Sequence, residues 1–282
     1  MNNSHVTDLE SRHQVERAFH DDWARGIKVD DVCVTAAFET QSALENRAAM
    51  RFLGDVRGKT VLDLGCGAGE AAVYLALQGA KVTAVDLSPE MISRTQELAR
   101  VHGVSIETAV MPAEQLAFEA EQFDCIYGSS ILHHADLRLT LTEAARVLKS
   151  DGKAVFIEPL SYNPAINIYR YIARDVRTPT ETAFRFRDLK QANDCFSNSE
   201  FEFCWLTTLN VFLYMYFIER IDPVKDRYWK RIVREHQRYK RMFGRLHRLD
   251  RWLLKAFPFL RYWCWTTVIQ LSGRKGGETG CE

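Results

Sequence analysis

The residues with the clearest chemical role are three alternating glycines, Gly65, Gly67 and Gly69, which follow a short apolar segment that ends near Asp63. Glycine lacks a Cβ, so the backbone of such a turn passes close to a ligand where a side chain would collide. A helix is predicted directly after the turn, and its first N–H groups would point at the same ligand. Asp63 and the turn, Cys66 included, are therefore predicted to bind a nucleotide-like cofactor; a purely structural turn is the alternative.

Two acidic residues bear on which cofactor the turn holds. Nicotinamide-dependent dehydrogenases usually have the spacing G-x-G-x-x-G, whereas this turn reads G-x-G-x-G after Asp63, whose carboxylate suits a cationic ammonium group and would repel a pyrophosphate. Asp86 ends the second predicted strand, where an acidic side chain can accept hydrogen bonds from both ribose hydroxyls. An ordinary helix-capping role is the alternative for Asp86, although Ser88 already stands at the cap position.

Further polar side chains follow the fourth and fifth predicted strands: Ser129, His133 and His134 after one, and Glu158 after the other. The loops at the carboxyl ends of parallel strands form the ligand crevice. Ser129 is expected on the cofactor side, whereas a neutral histidine can remove a proton from a hydroxyl or amine acceptor. We therefore predict catalytic or substrate-contacting roles for His133, His134 and Glu158; for each, the alternative is a hydrogen bond that only fixes the loop.

The elements that must position these residues alternate regularly. Predicted helices cover 70–78, 89–102 and 137–148, and predicted strands cover 59–64, 81–85, 105–110, 123–127 and 153–157. Such alternation indicates an α/β fold, a parallel sheet with helices on both faces. We expect residues 1–57 to form helices that cap the cofactor site, and residues 58–160 to form the cofactor-binding core.

The pattern changes after residue 160. A substrate cover, a basic helical insertion and the final sheet strands are predicted for 161–272, with a helix over 187–196, strands over 201–209 and 263–271, helices over 211–257, and a disordered tail over 273–282. The cover contains four candidate substrate contacts, for which plain packing is the alternative: Tyr162, Asn163, Tyr169 and Arg170.

The segment 220–261 is strongly basic, with 14 Lys and Arg residues against four Asp and Glu residues, and aromatic residues lie between them. The simplest interpretation is an amphipathic helical insertion with a solvated face. A peripheral contact with a membrane surface or a lipid-like substrate is the second interpretation. A phosphorylated substrate or a dimer contact also remains open.

Several motifs resemble class I S-adenosylmethionine-dependent methyltransferases, in particular the branch of quinone-biosynthesis and small-molecule enzymes. They occur in order across residues 58–160: VLDLGCGAG at 61–69, VDLSPEM at 85–91, PAEQLAF at 112–118, FDCI at 123–126, LHH at 132–134 and RVLKSDG at 146–152. The resemblance implies a Rossmann-like seven-stranded sheet whose last strand is antiparallel. It also implies S-adenosylmethionine as cofactor, with S-adenosylhomocysteine as product.

By position, the resemblance assigns Gly65 and Gly67 to the methionine part of the cofactor and Asp86 to the ribose. Four further residues are assigned to the adenine: Leu87, Met91, Ala113 and Glu114. The family often has an aspartate where this chain has Pro112, so recognition of the adenine would pass to the backbone N–H of Ala113 or to the Glu114 carboxylate.

Composition excludes some classes of function. The net charge is zero, which argues against a nucleic-acid partner, and the seven cysteines include no C-x-x-C pair, so neither a metal site nor a disulfide framework is predicted. The polar N-terminus and the absence of a long apolar run indicate a cytoplasmic protein, and peripheral contact with a membrane is left open. The sequence leaves the oligomeric state open.

These observations together predict direct, in-line methyl transfer to a small, partly apolar acceptor, such as a natural product, a quinone-like compound or a lipid-linked intermediate. Two alternatives remain: a non-catalytic, regulatory S-adenosylmethionine-binding protein and a dinucleotide-dependent oxidoreductase.

Overall fold

A seven-stranded sheet forms the centre of the molecule in the computed structural model, which describes residues 3–172, 178, 181, 184–223 and 226–275. Its strands are β1 Thr60–Leu64, β2 Lys81–Asp86, β3 Glu107–Val110, β4 Phe123–Ser129, β5 Leu148–Pro159, β6 Phe196–Cys204 and β7 Thr266–Arg274. The spatial order is β3-β2-β1-β4-β5-β7-β6, and β7 runs antiparallel to both of its neighbours. The predicted fold class, including the antiparallel last strand, is confirmed.

Alternate residues of the central strands supply two separate cores. Val61, Tyr127 and Val155 pack on one face of the sheet, whereas Leu62 and Phe156 pack on the other. This alternation is the two-residue period of an extended chain. The helices that cover the faces are α1 Asn3–Arg25, α2 Val34–Glu39, α3 Leu44–Leu53, α4 Glu70–Leu77, α5 Pro89–Val101, α6 Leu137–Val147, α7 Pro164–Ile172 and α8 Ala192–Cys195.

The described residues of the insertion between β6 and β7 form three α-helices, in line with the predicted helical insertion: α9 Asn210–Phe217, α10 Tyr228–Arg234 and α11 His236–Ala256. Asp250 of α11 is buried and ties the insertion to the turn after β6. Its carboxylate accepts hydrogen bonds from the backbone N–H of Thr207 at 2.6 Å and from the hydroxyl of Thr208 at 2.8 Å. Among the described residues, no helix combines the length and apolar character needed to cross a bilayer.

The predicted boundaries of the last two strands were wrong. The strand predicted at 201–209 is Phe196–Cys204, because its register is set by antiparallel pairing with β7, from Phe196 opposite Arg274 to Cys204 opposite Thr266. The helix predicted over 187–196 is therefore shorter, with a 3-10 turn at Asp188–Gln191 followed by α8. The same pairing extends β7 to Arg274, so residues 273 and 274 belong to the sheet and not to a disordered tail; residues 276–282 lie outside the described part of the chain.

The close contact of the glycine turn with α5 generates a stability prediction. Gly69 has a φ of +84°, and a Cβ there would lie 2.7 Å from the Thr95 side chain. Gly103 has a φ of +66°, but nothing lies within 4 Å of a Cβ there. We expect Gly69→Ala to lower the free energy of unfolding by about 2–4 kcal/mol, and Gly103→Ala by about 1 kcal/mol, since only the first adds a clash to backbone strain. Urea denaturation of both variants measures the difference, and equal losses would contradict the clash.

Candidate active site

A cavity of about 850 Å³ opens at the carboxyl ends of the parallel strands. Leu64, Asp86, Ser129 and Pro159, the last residues of β1, β2, β4 and β5, all line it. Helices α1, α2 and α10 contribute further residues to its walls. This edge of a parallel sheet is where side chains and loops from several strands converge on one ligand.

The glycine turn forms the floor of the cavity next to β1. Gly65, Gly67 and Gly69 all adopt positive φ angles, between 52° and 84°. A Cβ on Gly65 would clash with Ile131, whereas a Cβ on Gly67 would meet nothing within 4 Å and would project into open space. Gly69 does not line the cavity; its lack of a side chain allows α4 to pack against α5. Of the three, Gly65 and Gly67 therefore border the ligand space directly.

Asp63 lies beneath this turn with its carboxylate almost completely buried. Burial raises the pKa of Asp63 to about 7, although a hydrogen bond from the backbone N–H of Ala72 lowers it in part. Its Oδ2 atom has no hydrogen-bond partner among the described residues. A buried carboxylate oxygen without a donor is costly, and a cationic ammonium group would supply the missing partner. The Asp63 carboxylate therefore fits the ammonium group at the amino-acid end of S-adenosylmethionine.

Asp86 faces the cavity from the end of β2. Its two carboxylate oxygens accept backbone hydrogen bonds from Gly67 and Ser88, both at 2.9 Å, and burial raises its pKa. Each carboxylate oxygen can accept more than one hydrogen bond, so both remain available to a diol. Leu87, Met91, Met111, Pro112 and Ala113 form a largely apolar wall beside it, which fits a flat aromatic base.

Helix α1 lies across this wall. Arg17 Nε donates to the Leu87 carbonyl oxygen at 3.2 Å, and His13 Nε2 lies 3.2 Å from a Glu114 carboxylate oxygen. Glu114 also accepts a hydrogen bond from the backbone N–H of Asp136. The carboxylate that the sequence assigns to adenine is thus held by α1 and by the loop after β4, although it still lines the cavity. The Cys66 thiol is buried, and burial raises its pKa, so it contributes packing.

His133 is held between two carboxylates. Its Nδ1 lies 2.6 Å from Glu158 Oε2, and its Nε2 lies 3.3 Å from Glu181 Oε1. Although burial of the ring acts in the opposite direction, the two carboxylates raise the pKa of His133 to about 9. A ring with both nitrogens engaged and a raised pKa has no lone pair to accept a proton at neutral pH. This geometry opposes the predicted role of His133 as general base.

Glu158 is fully buried and does not line the cavity. Its Oε1 accepts hydrogen bonds from the backbone N–H groups of Ile131 and Leu132, at 3.0 and 2.8 Å. With the contact to His133, three donors surround this one carboxylate. The arrangement corresponds to the loop-fixing alternative for Glu158.

His134 belongs to a second polar cluster, which includes residues of α1. His134 Nδ1 lies 3.0 Å from Glu16 Oε2, and Thr178 Oγ1 donates to Glu16 Oε1 at 2.9 Å. His20 Nε2 lies 3.6 Å from the same Glu16 oxygen. Burial lowers the pKa of His134, although the Glu16 carboxylate raises it in part. His134 is thus mainly neutral at pH 7, with Nδ1 facing a carboxylate.

Two sets of donor atoms in these clusters lie close enough together to hold a metal ion: Glu16, His20 and His134, and His133, His134 and Glu181. The donors of each set lie within 4.8 Å of one another. In both sets, a carboxylate oxygen already lies within 3.6 Å of an imidazole nitrogen.

Part of the cavity wall is aromatic and apolar. It includes Phe38, Tyr127, Trp205, Trp265 and Ile232. Trp205 Nε1 donates to Glu45 Oε1 at 2.5 Å, and Tyr127 donates its hydroxyl to Asn46 at 2.7 Å. These hydrogen bonds orient the rings, which suits a partly apolar acceptor.

Two of the candidate substrate residues of the cover, Tyr162 and Asn163, do not reach this wall. The Tyr162 ring packs 5.3 Å from the Phe186 ring, and Asn163 Nδ2 donates to the Trp263 carbonyl oxygen at 2.5 Å, so neither side chain lines the cavity. The side chains of Tyr169 and Arg170 lie outside the described residues. Sequence reasoning missed Glu16, although His13, Glu16 and His20 follow helical spacing on one face of α1 and could have signalled a polar contact there.

Comparison with known proteins identifies the central segment. Residues 62–156 match the family described as "Methyltransferase domain". This segment is similar to a methyltransferase domain. The match confirms the resemblance to class I enzymes and, with it, S-adenosylmethionine as the cofactor of this domain.

Two curated relatives carry the description "Ubiquinone biosynthesis O-methyltransferase". The protein of Xanthomonas oryzae pv. oryzae is 38% identical over 117 residues, which are 39% of this chain and 47% of the relative. The protein of Bordetella parapertussis is 31% identical over 127 residues, or 43% of this chain and 51% of the relative. The chain thus spans about half the length of these relatives.

One solved structure extends the likeness of the fold beyond the domain. The geranyl diphosphate C-methyltransferase of Streptomyces coelicolor A3(2) superposes with a TM-score of 0.55 at 15% identity, covering 83% of this chain and 78% of its own. At this identity the likeness concerns the fold alone.

The contacts of Asp86 generate a binding prediction. Asp86→Ala should weaken the binding of S-adenosylhomocysteine by about 1–3 kcal/mol, because the ribose hydroxyls lose their acceptor. Isothermal titration calorimetry measures the affinity, and Asp151→Ala, which removes an exposed carboxylate from β5, serves as the control. Unchanged affinity in Asp86→Ala would show that the ribose binds elsewhere.

The His133 cluster generates a pH prediction. Because the pKa of His133 rises from 6.5 to about 9 on folding, its protonation stabilises the native state fully below pH 6.5, and this stabilisation is lost as the pH rises through 9. His133→Gln should cost on the order of 3 kcal/mol in unfolding free energy near neutral pH, and the gap to the unmodified protein should narrow above about pH 9. Urea denaturation across this range measures the gap.

The control is His102→Gln, at the end of α5, because no described carboxylate pairs with His102. A gap for His133→Gln that does not change with pH would contradict a cationic His133.

Proposed function

We propose that this chain is an S-adenosylmethionine-dependent methyltransferase that acts on a small, partly apolar acceptor by direct in-line transfer. The single observation that carries the proposal is the buried Oδ2 atom of Asp63, which has no donor among the described residues and lies beneath the glycine turn. The cavity above it also contains the Asp86 carboxylate, which can bind the ribose hydroxyls, and an apolar wall that fits the adenine ring. These parts follow one another as the amino-acid, ribose and adenine parts of the cofactor do.

The residues that would hold the cofactor divide by chemistry. Asp63 and the backbone of Gly65 and Gly67 would hold its amino-acid part, Asp86 its ribose, and the wall around Leu87 its adenine. When bound, S-adenosylmethionine supplies an electrophilic methyl group on a sulfonium centre. The chain's contribution is then to orient the acceptor and to exclude water from the cavity.

His134 is the better candidate for a general base. Its Nδ1 faces Glu16, its pKa is lowered, and its Nε2 has no hydrogen-bond partner among the described residues. A neutral imidazole that donates Nδ1–H to a carboxylate presents Nε2 as an acceptor. In this role His134 would accept the proton of an acceptor hydroxyl, and Glu16 would orient the ring and stabilise the imidazolium that results.

Two observations support an aromatic or otherwise apolar hydroxyl acceptor. Part of the cavity wall is formed by aromatic rings, including Tyr127, Trp205 and Trp265. The curated relatives are described as O-methyltransferases of ubiquinone biosynthesis. A phenol or a reduced quinone combines a flat apolar body with a hydroxyl of accessible pKa, which suits both the wall and a histidine base.

The direct test is turnover with isotopically labelled S-adenosylmethionine and a panel of phenols, reduced quinones and lipid-linked phenols, followed by mass spectrometry. We expect one labelled methyl group on oxygen and one equivalent of S-adenosylhomocysteine. Thermal stabilisation by NAD, and not by S-adenosylhomocysteine, would favour an oxidoreductase. Tight binding of S-adenosylhomocysteine without turnover across the panel would favour a regulatory protein.

The proposed base generates a kinetic prediction. His134→Gln should lower kcat for a hydroxyl acceptor by about 10²–10⁴-fold, with little change in the affinity for S-adenosylhomocysteine. In the unmodified protein, kcat/KM should fall at acid pH with a midpoint below 6.5, because burial lowers the pKa of His134. Glu16→Gln should move this midpoint further down, since Glu16 opposes the lowering.

The pH profile separates positioning by Glu16 from a merely structural role. If the midpoint stays in place in Glu16→Gln, or if His134→Gln retains full kcat, the base lies elsewhere. His102→Gln is the matched control and should leave both kcat and the profile unchanged.

A further inference from the structure

The end of α11 and the 3-10 turn Pro258–Trp263 expose an unusual set of side chains. Four aromatic residues are largely in solvent: Trp252 is 60% exposed, Phe257 43%, Phe259 63% and Trp263 56%. We call them, together with the basic residues around them, the aromatic–basic face; the basic residues are Arg245, Arg248, Arg251, Lys255 and Arg261.

Helical spacing explains how α11 forms this face. Its buried residues, Tyr239, Phe243 and Asp250, lie on one side of the helix and pack into the protein. Arg245, Arg248, Leu249, Trp252 and Ala256 recur at spacings of three and four, and all are exposed on the opposite side. This is the pattern of a helix with one face in the protein core and a second, mixed apolar and basic face left uncovered.

The charge of this face is of one sign. From His236 to Lys275 the chain contains a single carboxylate, Asp250, and this side chain points inward to the turn at 207–208. None of the five basic residues of the face forms an ion pair with a described residue. The exposed surface therefore combines uncompensated positive charge with large apolar rings.

We propose that the aromatic–basic face docks onto an anionic membrane surface. Exposed apolar patches of this kind mark interaction sites, and aromatic side chains gain free energy at the boundary between headgroups and acyl chains. Each Lys or Arg near an anionic bilayer adds to the attraction. The docking does not depend on the identity of the methyl acceptor.

Charge complementarity favours a lipid surface over a second copy of the chain. In a two-fold symmetric dimer the same patch occupies both sides of the interface, so five uncompensated cations would face five others. An anionic bilayer provides the opposite charge together with an apolar phase for the rings.

Contacts with the body of the protein hold the face in place. The Tyr262 ring packs 4.2 Å from the Phe186 ring, and the Trp263 carbonyl oxygen accepts a hydrogen bond from Asn163. Asp250 fixes α11 to the turn after β6. The aromatic rings are thus presented on a supported surface, which lowers the entropic cost of docking.

The test is flotation of the full-length protein with vesicles of phosphatidylcholine alone and of phosphatidylcholine mixed with phosphatidylglycerol. We expect binding only to the mixed vesicles, with affinity that falls as salt is raised. The double variant Trp252→Ala/Phe259→Ala should bind the mixed vesicles about tenfold more weakly. The double variant Arg245→Glu/Arg248→Glu should bind them about a hundredfold more weakly. Neither variant touches the cavity, so the affinity for S-adenosylhomocysteine should be unchanged and reports correct folding.

Matched controls come from exposed residues elsewhere. Phe217→Ala removes a ring that is 67% exposed on α9, and Arg100→Glu reverses an exposed charge on α5; both should bind mixed vesicles normally. Failure of the unmodified protein to float, or equal binding to both vesicle types, would overturn the proposal. A dimer in light scattering that the Trp252→Ala/Phe259→Ala variant abolishes would also overturn it, because a second copy of the chain would then cover the face. Displacement from vesicles by duplex DNA would overturn it as well, because it would identify a nucleic acid as the occupant.

Discussion

The structure depends on the burial of carboxylates at the carboxyl ends of the parallel strands. An isolated carboxylate is costly to bury, so each one needs donors or a cation. Asp86 has two backbone donors, Glu158 has two backbone donors and His133, and Glu16 has His134 and Thr178. Asp63 differs from these, because its Oδ2 atom lacks a hydrogen-bond donor and no described Lys, Arg or His pairs with its carboxylate. That imbalance gives the cavity a preference for a cationic ligand.

Closure of the cavity joins distant parts of the chain. Helix α1 supplies Glu16 and Trp23, and α10 approaches from the insertion with Lys230. The Arg227 guanidinium, just before α10, lies 4.3 Å from the centre of the Trp23 ring, a distance typical of cation–π contacts. Burial raises the pKa of Glu70, at the start of α4, to about 7, and the positive charge of Lys230 acts against this rise. Charge and aromatic contacts thus connect both covering helices to the cofactor side.

The parts of the fold that the sequence predicts are those encoded locally. β1, β2 and α5 have apolar periodicity, a glycine turn or a capping serine within a few residues, and their predicted positions agree closely with the structure. The register of β6 is different, because it depends on pairing with β7, more than 60 residues away along the chain. Strand propensity alone could not choose between 196–204 and 201–209.

The same distinction applies to the site. The position of His133 in the crevice follows from its place after β4, but its charge state depends on Glu158 and Glu181. No local pattern links these three residues. Likewise, the contact between His134 and Glu16 joins the loop after β4 to α1. Cofactor contacts are predictable because they cluster in short motifs, whereas proton chemistry depends on pairs that only the tertiary structure brings together.

The insertion between β6 and β7 connects the cavity with the outer surface. Ile232 of α10 lines the cavity, while Trp252 of α11 lies on the exposed aromatic–basic face. Both ends of the insertion are fixed to the sheet, where the Trp205 and Trp265 rings meet at 5.8 Å. For an acceptor whose apolar chain lies in a bilayer, docking through α11 would bring the protein to the surface that holds that chain, and the cost of transferring the chain through water would fall with every methylene that stays buried.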